Sequence, residues 1–302
     1  RVLSIVAAGR MARAEPGTVC HALREAAEAH GLTFGHDPST HSRCTLGGMI
    51  GNNSCGPHSV MAGKTVENIS RLEVLTYDGE RFWCGPTSEV EFRRIVSLGG
   101  RQAVIYAGMR RIAERYAELI RSRFPRIRRR VSGYNLDELL PENGFNVARA
   151  LVGSEGTCAF GLQAEARLVK SPRERVLVVR ALADIFAAGD AVPEILAASP
   201  IACEGLDERI IGGLRERGLR LDDIALLPPG RGWLMVEFGG DTLQEATDKA
   251  RRIPGQLITD QALMSRLWTI RETGASATAL NLGGPGPRPI VGWGGRAGHP
   301  LP

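Results

Sequence analysis

Between Pro38 and Gly56 the chain runs Pro38-Ser-Thr-His-Ser-Arg-Cys-Thr-Leu-Gly-Gly-Met-Ile-Gly-Asn-Asn-Ser-Cys-Gly56, a concentration of glycines, hydroxyls and paired asparagines. Gly47, Gly48, Gly51 and Gly56 remove side chains where a backbone comes close to a ligand or takes positive φ. Ser39, Thr40, Ser42, Thr45, Asn52, Asn53 and Ser54 offer neutral hydrogen bonds, and successive backbone N–H groups can form a nest for an anion. The chemistry this predicts is the cradling of a large phosphorylated cofactor. No Walker lysine follows the glycines, and no strand-to-helix Gly-x-Gly-x-x-Gly is present, so neither common nucleotide fingerprint applies. His41-x-x-Cys44 and Cys55-x-x-His58 imitate the two ligand pairs of a zinc finger. Zinc needs a compact knuckle between such pairs, whereas these residues read as a Gly-rich turn, so no metal is expected.

A second glycine segment, Gly153-Ser-Glu-Gly-Thr157, precedes a strand-like run. Its serine directly follows the first glycine, which is not the arrangement of a hydrolase nucleophile elbow. A third candidate is Arg271, in Arg266-Leu-Trp-Thr-Ile-Arg-Glu272, beside an apolar stripe of Leu263, Leu267 and Ile270. Its guanidinium fork suits a carboxylate, and the bland alternative is a solvent arginine beside the stripe. His36 and His41 could exchange protons, although loop histidines more often serve as structural hydrogen-bonders.

Together these segments resemble the FAD-binding flavoproteins of the vanillyl-alcohol oxidase and p-cresol methylhydroxylase (PCMH) type. The likeness is to the branch of D-lactate, glycolate and D-2-hydroxyglutarate dehydrogenases, where Pro-Ser-Ser, Thr-Ile-Gly-Gly and Asn-Asn-x-x-Gly recur in that order. Lys64-Thr65, Asn68 and Leu72 to Gly79 resemble the family's strand and turn after the cradle. The resemblance implies an α+β fold, with a FAD-binding PCMH-type domain over residues 1–170 and part of an α+β cap domain over 171–286. It implies FAD held by Pro38, Ser39, Thr40, Ser42, Thr45, Gly47, Gly48, Gly51, Asn52, Asn53, Gly56, Glu155, Gly156 and Thr157, with Arg271 receiving the substrate carboxylate. The activity implied is oxidation of a small D-2-hydroxy acid to the 2-oxo acid, with electrons leaving to an external acceptor or an iron–sulfur domain outside this chain. The family's pyrophosphate loop is expected before Arg1 and its histidine cluster beyond the last residue, so the resemblance also implies a fragment of a larger flavoprotein. Ala275 stands where some relatives carry a hydroxyl, and Cys158-Ala-Phe-Gly161 departs from the usual aliphatic continuation. Residues 287–302, with their chance Gly292-Trp-Gly-Gly-Arg-Ala, read as an irregular, aberrant tail.

The elements that must position these residues follow from pattern. Val2 to Val6 and Met11 to Ala14 predict a hairpin of short strands, with Glu15-Pro16-Gly17 as the turn. Thr18 then caps a helix to about Ala29, with Gly31 as its αL terminator. Leu72 to Thr76 and Arg81 to Cys84 predict strands around a Tyr-Asp-Gly turn. Ser88 to Val96 and Ile105 to Arg121 have helical apolar spacing, and residues 130–147 are irregular. Phe160 to Val169 predicts a strand that closes the first domain before Ser171-Pro172. Beyond it, strands near 175–181, 201–206 and 233–238 alternate with helices 184–198 and 242–253, a rhythm suggesting a two-layer domain.

With 302 residues, 43% hydrophobic and 24% charged, the composition is that of a globular protein with room for two domains. No apolar run reaches the roughly 20 residues of a spanning helix. Residues 110–130 hold nine arginines against Glu114 and Glu118, more than the whole chain's net +5, so the remainder is net acidic. That basic segment lacks the aromatic platforms of a nucleic-acid site. It suits a solvated face or an acidic partner, and a non-catalytic module docking through Arg110 to Arg130 is the alternative reading. The six cysteines include no Cys-x-x-Cys pair, which argues against an iron–sulfur cluster within the chain and fits reduced thiols in a cytoplasmic or membrane-peripheral protein.

Overall fold

The computed structural model describes residues 1–279, with side chains to Gly274. The tail and Ala275 lie outside the residues so described. The chain divides into two units: residues 1–55 with 62–171, and residues 56–61 with 172 onward.

The first unit opens on β1 (Val2–Val6) and β2 (Met11–Ala14), which pair antiparallel. Their connection is Ala7 to Arg10, where Arg10 takes a positive φ of 48°, and not Glu15 to Gly17. After β2 the chain enters α1 (Cys20–Glu28), whose Cys20, Leu23 and Ala27 fall on one buried stripe. The residue at its N-cap is Val19, without a side-chain cap, because Val19 bridges Thr45 and Thr18 is drawn inward beside it. Gly31 ends the helical turn with φ 66°, as its sequence position predicts. Next come β3 (Leu32–Thr33), α2 (Leu46–Asn52), α3 (Ser59–Ala62), whose first three residues belong to the second unit, and α4 (Thr65–Asn68).

β4 (Ile69–Thr76) and β5 (Arg81–Cys84) form the expected hairpin, with Gly79 at φ 88°. Ser88 caps α5 (Glu89–Leu98) by accepting from the Glu91 amide, and Gly99 separates it from the long α6 (Gly100–Arg123). Two 3-10 turns, Leu136–Leu139 and Pro141–Asn143, occupy the irregular stretch before α7 (Val147–Leu151). β6 (Ala159–Arg167) then runs antiparallel between β2 and β4, giving one sheet in the order β1-β2-β6-β4-β5. β7 (Val169–Lys170) pairs with β3 as a separate ribbon. The core beneath this sheet gathers Leu23, Phe34, Leu46, Met49, Leu72, Tyr106 and Val152.

The second unit is built on β8 (Glu174–Leu182), α8 (Ile185–Ala197), β9 (Ala202–Asp207), α9 (Glu208–Glu216), α10 (Leu221–Ile224), β10 (Gly232–Gly240), α11 (Leu243–Ala250), β11 (Gln256–Ile258) and α12 (Gln261–Ala279). Its four strands lie antiparallel in the order β11-β8-β10-β9. Alternate residues of β8 feed opposite faces: Leu177 and Val179 join Ile210, Leu214 and Leu267 of α9 and α12, while Val176 and Val178 join Ala188, Ile195 and Ala246 of α8 and α11. Helices therefore cover both faces, and the unit has three layers, not the two that its strand-helix rhythm suggests. β10 shows why: all nine of its residues are buried, as a central strand clothed on both sides requires.

Candidate functional site

The cradle is a capped helix, not a loop. Thr45 sits in extended conformation at the N-cap of α2, and its hydroxyl accepts from the Gly48 amide at 3.3 Å. The amides at the start of α2 all have protein partners: Leu46 N donates to Thr18 O, Gly47 N to Pro16 O and Met49 N to Thr45 O. These groups are committed to the fold, so α2 offers no free nest for phosphate. Gly47 serves the same docking, since a Cβ there would stand 2.8 Å from the Pro16 side chain. Gly48 is exposed. Gly51 is different: no atom lies within 4 Å of a Cβ built on it, and it lines a cavity of about 240 Å³.

The other glycine segment docks on the C-terminal end of α2. Gly153 N donates to Ile50 O at 2.8 Å, and Glu155 N donates to Gly51 O at 2.9 Å. These bonds fill two of the carbonyls that a helix end leaves open. The two glycine signatures, a hundred residues apart in sequence, thus become one structure. Glu155 is exposed and holds φ 52°, while Gly156 takes φ 73° and joins the cavity wall. Thr157 is exposed, donates to Ser154 O at 2.6 Å and shares a 2.8 Å bond with the Tyr134 hydroxyl.

The remaining wall includes the half-buried Pro16, the core residues Ile50, Leu72 and Val74, and Ser154, Phe160, Gly161 and Gln163. No ionisable side chain lines it. Such a mainly apolar slot with glycine openings suits a planar ring system more than it suits phosphate. Ser154, Phe160 and Gly161 escape a sequence reading that assigns the polar roles to Glu155 and Thr157. For Phe160 and Gly161 the signal was the departure Cys158-Ala-Phe-Gly161, which supplies an aromatic wall and an opening in place of aliphatic packing. Phe160 lies 5.0 Å from the Tyr77 ring, and the Tyr77 hydroxyl donates to Gly156 O.

The other predicted contacts are structural in this conformation. Pro38 O accepts from the His41 amide, and Thr40 O accepts from the amides of Arg43 and Cys44, so Pro38, Ser39, Thr40 and Ser42 form turns that lead to Thr45. Asn52 is exposed and accepts from the Ser54 hydroxyl. Asn53 is buried at φ 53°, where it ends α2 and accepts from the Val66 amide at 3.0 Å. His36 is fully buried with Nε2 at 2.8 Å from Thr65 Oγ1, and burial pushes its pKa down to about 3. It remains neutral and structural.

Gly56 and Arg271 belong to the second unit. Gly56 N donates to Ser59 Oγ at 3.0 Å. Arg271, on α12, donates from Nη2 to the buried Glu204 of β9 at 3.3 Å, while its Nε has no hydrogen-bond partner among the described residues. It is neither a bare solvent arginine nor an uncompensated cation. Nearby in sequence to Gly56, His58 turns to Glu237 of β10 at 3.1 Å, and Glu237 also accepts from Arg175 at 3.3 Å and from Trp268 Nε1 at 3.0 Å. His58 thus has a carboxylate partner. Among the described residues no group of three or more His, Cys, Asp or Glu side chains could hold a metal ion. On the basic segment, Arg110, Arg121 and Arg130 pair with Glu89, with Glu118 and Glu142, and with Asp137.

Residues 1–85, which include α2 and its cap, match the family model described as an FAD binding domain. This part of the chain belongs to that family. Its cofactor is FAD, in keeping with the glycine-walled slot. The chain carrying this FAD binding domain is 30% identical over 287 residues to a D-2-hydroxyglutarate dehydrogenase of Pseudomonas putida, an alignment that covers 92% of this chain and 28% of that protein. It is 38% identical over 84 residues to glycolate oxidase subunit GlcD of Escherichia coli, across 28% of this chain and 17% of that one. With GlcD of Bacillus subtilis it shares 24% over 290 residues, 93% of this chain and 50% of the relative. The chain therefore spans half or less of the length of these relatives. A solved structure of alkyldihydroxyacetonephosphate synthase superposes with a TM-score of 0.55 over 92% of this chain and 47% of that one, at 14% identity, a likeness of fold. No helix among the described residues is long and apolar enough to cross a membrane.

Proposed function

We propose that this chain is the FAD-holding part, with part of a substrate-covering cap, of an oxidoreductase that converts a D-2-hydroxy acid such as D-lactate or D-2-hydroxyglutarate to its 2-oxo acid. Residues 1–170 form the flavin domain in this reading and residues 171–286 the cap portion. The observation that supports it most is the cavity made where Gly153 to Gly156 closes on the end of α2, with Gly51 and Gly156 in its wall. The relatives named as D-2-hydroxyglutarate dehydrogenase and glycolate oxidase subunit support the substrate class.

The residues fit a flavin by what they omit. Gly51 leaves open space beside the slot, and no charge opposes an aromatic ring within it. A bound flavin supplies the two-electron redox chemistry, and the protein supplies position and electrostatics. Thr45 fixes α2, Phe160 forms part of the wall with the Tyr77 ring beside it, and Ser154 is the hydroxyl available to a ring heteroatom. Arg271 is the candidate for the substrate carboxylate. With Glu204 already on one nitrogen, it would bind through its remaining donors and not through net charge. Electrons leave to an acceptor outside this chain, of which an iron–sulfur domain is one form.

The purified 302-residue chain should take up FAD and show flavin absorbance. Anaerobic addition of D-lactate or D-2-hydroxyglutarate should bleach it, and the L enantiomers should not. Absence of flavin absorbance after incubation with FAD would remove this reading and leave a module that docks through Arg110 to Arg130.

A further inference from the structure

Beneath the cradle two thiols face each other in a geometry that the flavin reading does not use. Cys20 opens α1, and Cys44 immediately precedes Thr45, the cap of α2. The bridge between Val19 and Thr45 is antiparallel, with Cys20 N donating to Cys44 O at 2.9 Å and Leu46 N donating to Thr18 O at 2.8 Å. In that register Cys20 and Cys44 are directly opposite, a pairing with Cα atoms about 5.5 Å apart. A disulfide accepts Cα separations of about 4.4–6.8 Å. Each sulfur perturbs the titration of the other, as neighbours across so narrow a bridge do.

The pair is chemically unequal. Cys20 is fully buried and also lies 3.8 Å from His36 O, and the Cys44 sulfur together with burial raises its pKa far above the thiol range. Cys44 is half-exposed, and hydrogen bonds from Cys20 and from the Thr40 hydroxyl bring its pKa down to about 7. One thiol is therefore reachable and easily ionised, and its neighbour is protected and protonated. Attacking and resolving cysteines are arranged in this way. Arg24 and Asp37, paired with each other at 3.0 Å, are the charged groups beside Cys20.

We propose that Cys20 and Cys44 are a reversible redox site, in which a hydroperoxide oxidises Cys44 and Cys20 closes a disulfide beneath the flavin cradle. The Cys44 thiolate attacks one peroxide oxygen, the O–O bond breaks, and Cys44 sulfenic acid and hydroxide form. The Cys20 sulfur then displaces hydroxide from the sulfenic sulfur, and its proton leaves as water. Overall two thiols and one hydrogen peroxide give one disulfide and two waters, with two electrons passing from sulfur to oxygen. The new bond ties the start of α1 to the residue before Thr45 and removes the thiol that the Thr40 hydroxyl serves. α2 is then fixed covalently at its entrance.

The test uses the full chain, treated with hydrogen peroxide, denatured, alkylated and mapped by mass spectrometry. A Cys20–Cys44 linked peptide, lost again on treatment with dithiothreitol, is the expected result. Recovery of both cysteines in alkylatable form, or a crosslink to Cys55 or Cys158 in their place, overturns the proposal. Before oxidation, native Cys44 should react with iodoacetamide at pH 7 roughly threefold faster than a free cysteine peptide, after allowing for the lower nucleophilicity of a low-pKa thiolate. Cys20→Ser should leave Cys44 as a sulfenic acid trapped by dimedone, and Cys44→Ser should leave Cys20 unmodified. If Cys44→Ser permits oxidation of Cys20, the assignment of roles is wrong.

Discussion

At the scale of single residues, His36 shows how burial sets the response to acid. In the unfolded chain a histidine titrates near 6.5, and in the fold this one titrates near 3, because the charged form cannot be solvated. Holding it neutral therefore disfavours the folded state at every pH below about 6.5, where the unfolded chain takes the proton first. The stability present above pH 6.5 is lost as pH falls, by about 1.4 kcal/mol per unit at most, until about pH 3. Urea unfolding of His36→Gln should show a shallower loss between pH 6 and pH 4 than the parent; identical slopes would mean that His36 is already protonated in the fold. Arg271 is tested by splitting kinetics in a form of the protein that turns over. Arg271→Lys keeps a charge opposite Glu204 but removes the fork, and should raise KM for the hydroxy acid about tenfold or more with a smaller change in kcat. A variant with unchanged KM would return Arg271 to a purely structural role with Glu204.

At the scale of elements, α2 separates two uses of glycine that sequence alone cannot distinguish. Gly47→Ala pushes a methyl against Pro16 at 2.8 Å and should destabilise the unit by about 1–3 kcal/mol. Gly51→Leu meets open space, so thermal unfolding should barely move, yet the side chain enters the cavity and FAD retention should be lost. Equal flavin content in Gly51→Leu and the parent would place the cofactor elsewhere. Thr45→Ala removes the cap and should lower stability by about 1 kcal/mol in chemical denaturation. The same helix explains where the sequence was legible. The segment announced itself through composition, but three glycines in seven residues suppress helix propensity, so it read as a turn. Thr45, Asn53 and the docking of Gly153 override that local preference, and none of those contacts is visible along the chain. The Tyr-Asp-Gly hairpin and the stripe on α12 were legible because their signals are local and periodic. β3 and β7, with two residues each, have no period to detect, and the third layer of the second unit depends on which face each helix covers.

At the scale of the molecule, the FAD binding domain and the strand-helix unit that follows are the parts that these 302 residues contribute to a longer flavoprotein, in the reading proposed here. FAD binding should therefore be measurable on this chain by absorbance. The second unit is not continuous in sequence, because residues 56–61 belong to it while the chain on either side belongs to the first. His58 meets Glu237 across 179 residues. On the ribosome, at about 5–20 residues per second, roughly ten to forty seconds pass between the synthesis of that histidine and of its carboxylate partner. A polypeptide started at Pro172 would contain Glu237, Arg175 and Trp268 but never the histidine, so the acidic member of a buried cluster would lack one of its donors. The practical boundary for expressing the second unit is therefore a gene order, not a cut site: residues 56–61 must be joined to it, by a linker or by permutation, before it can be studied alone.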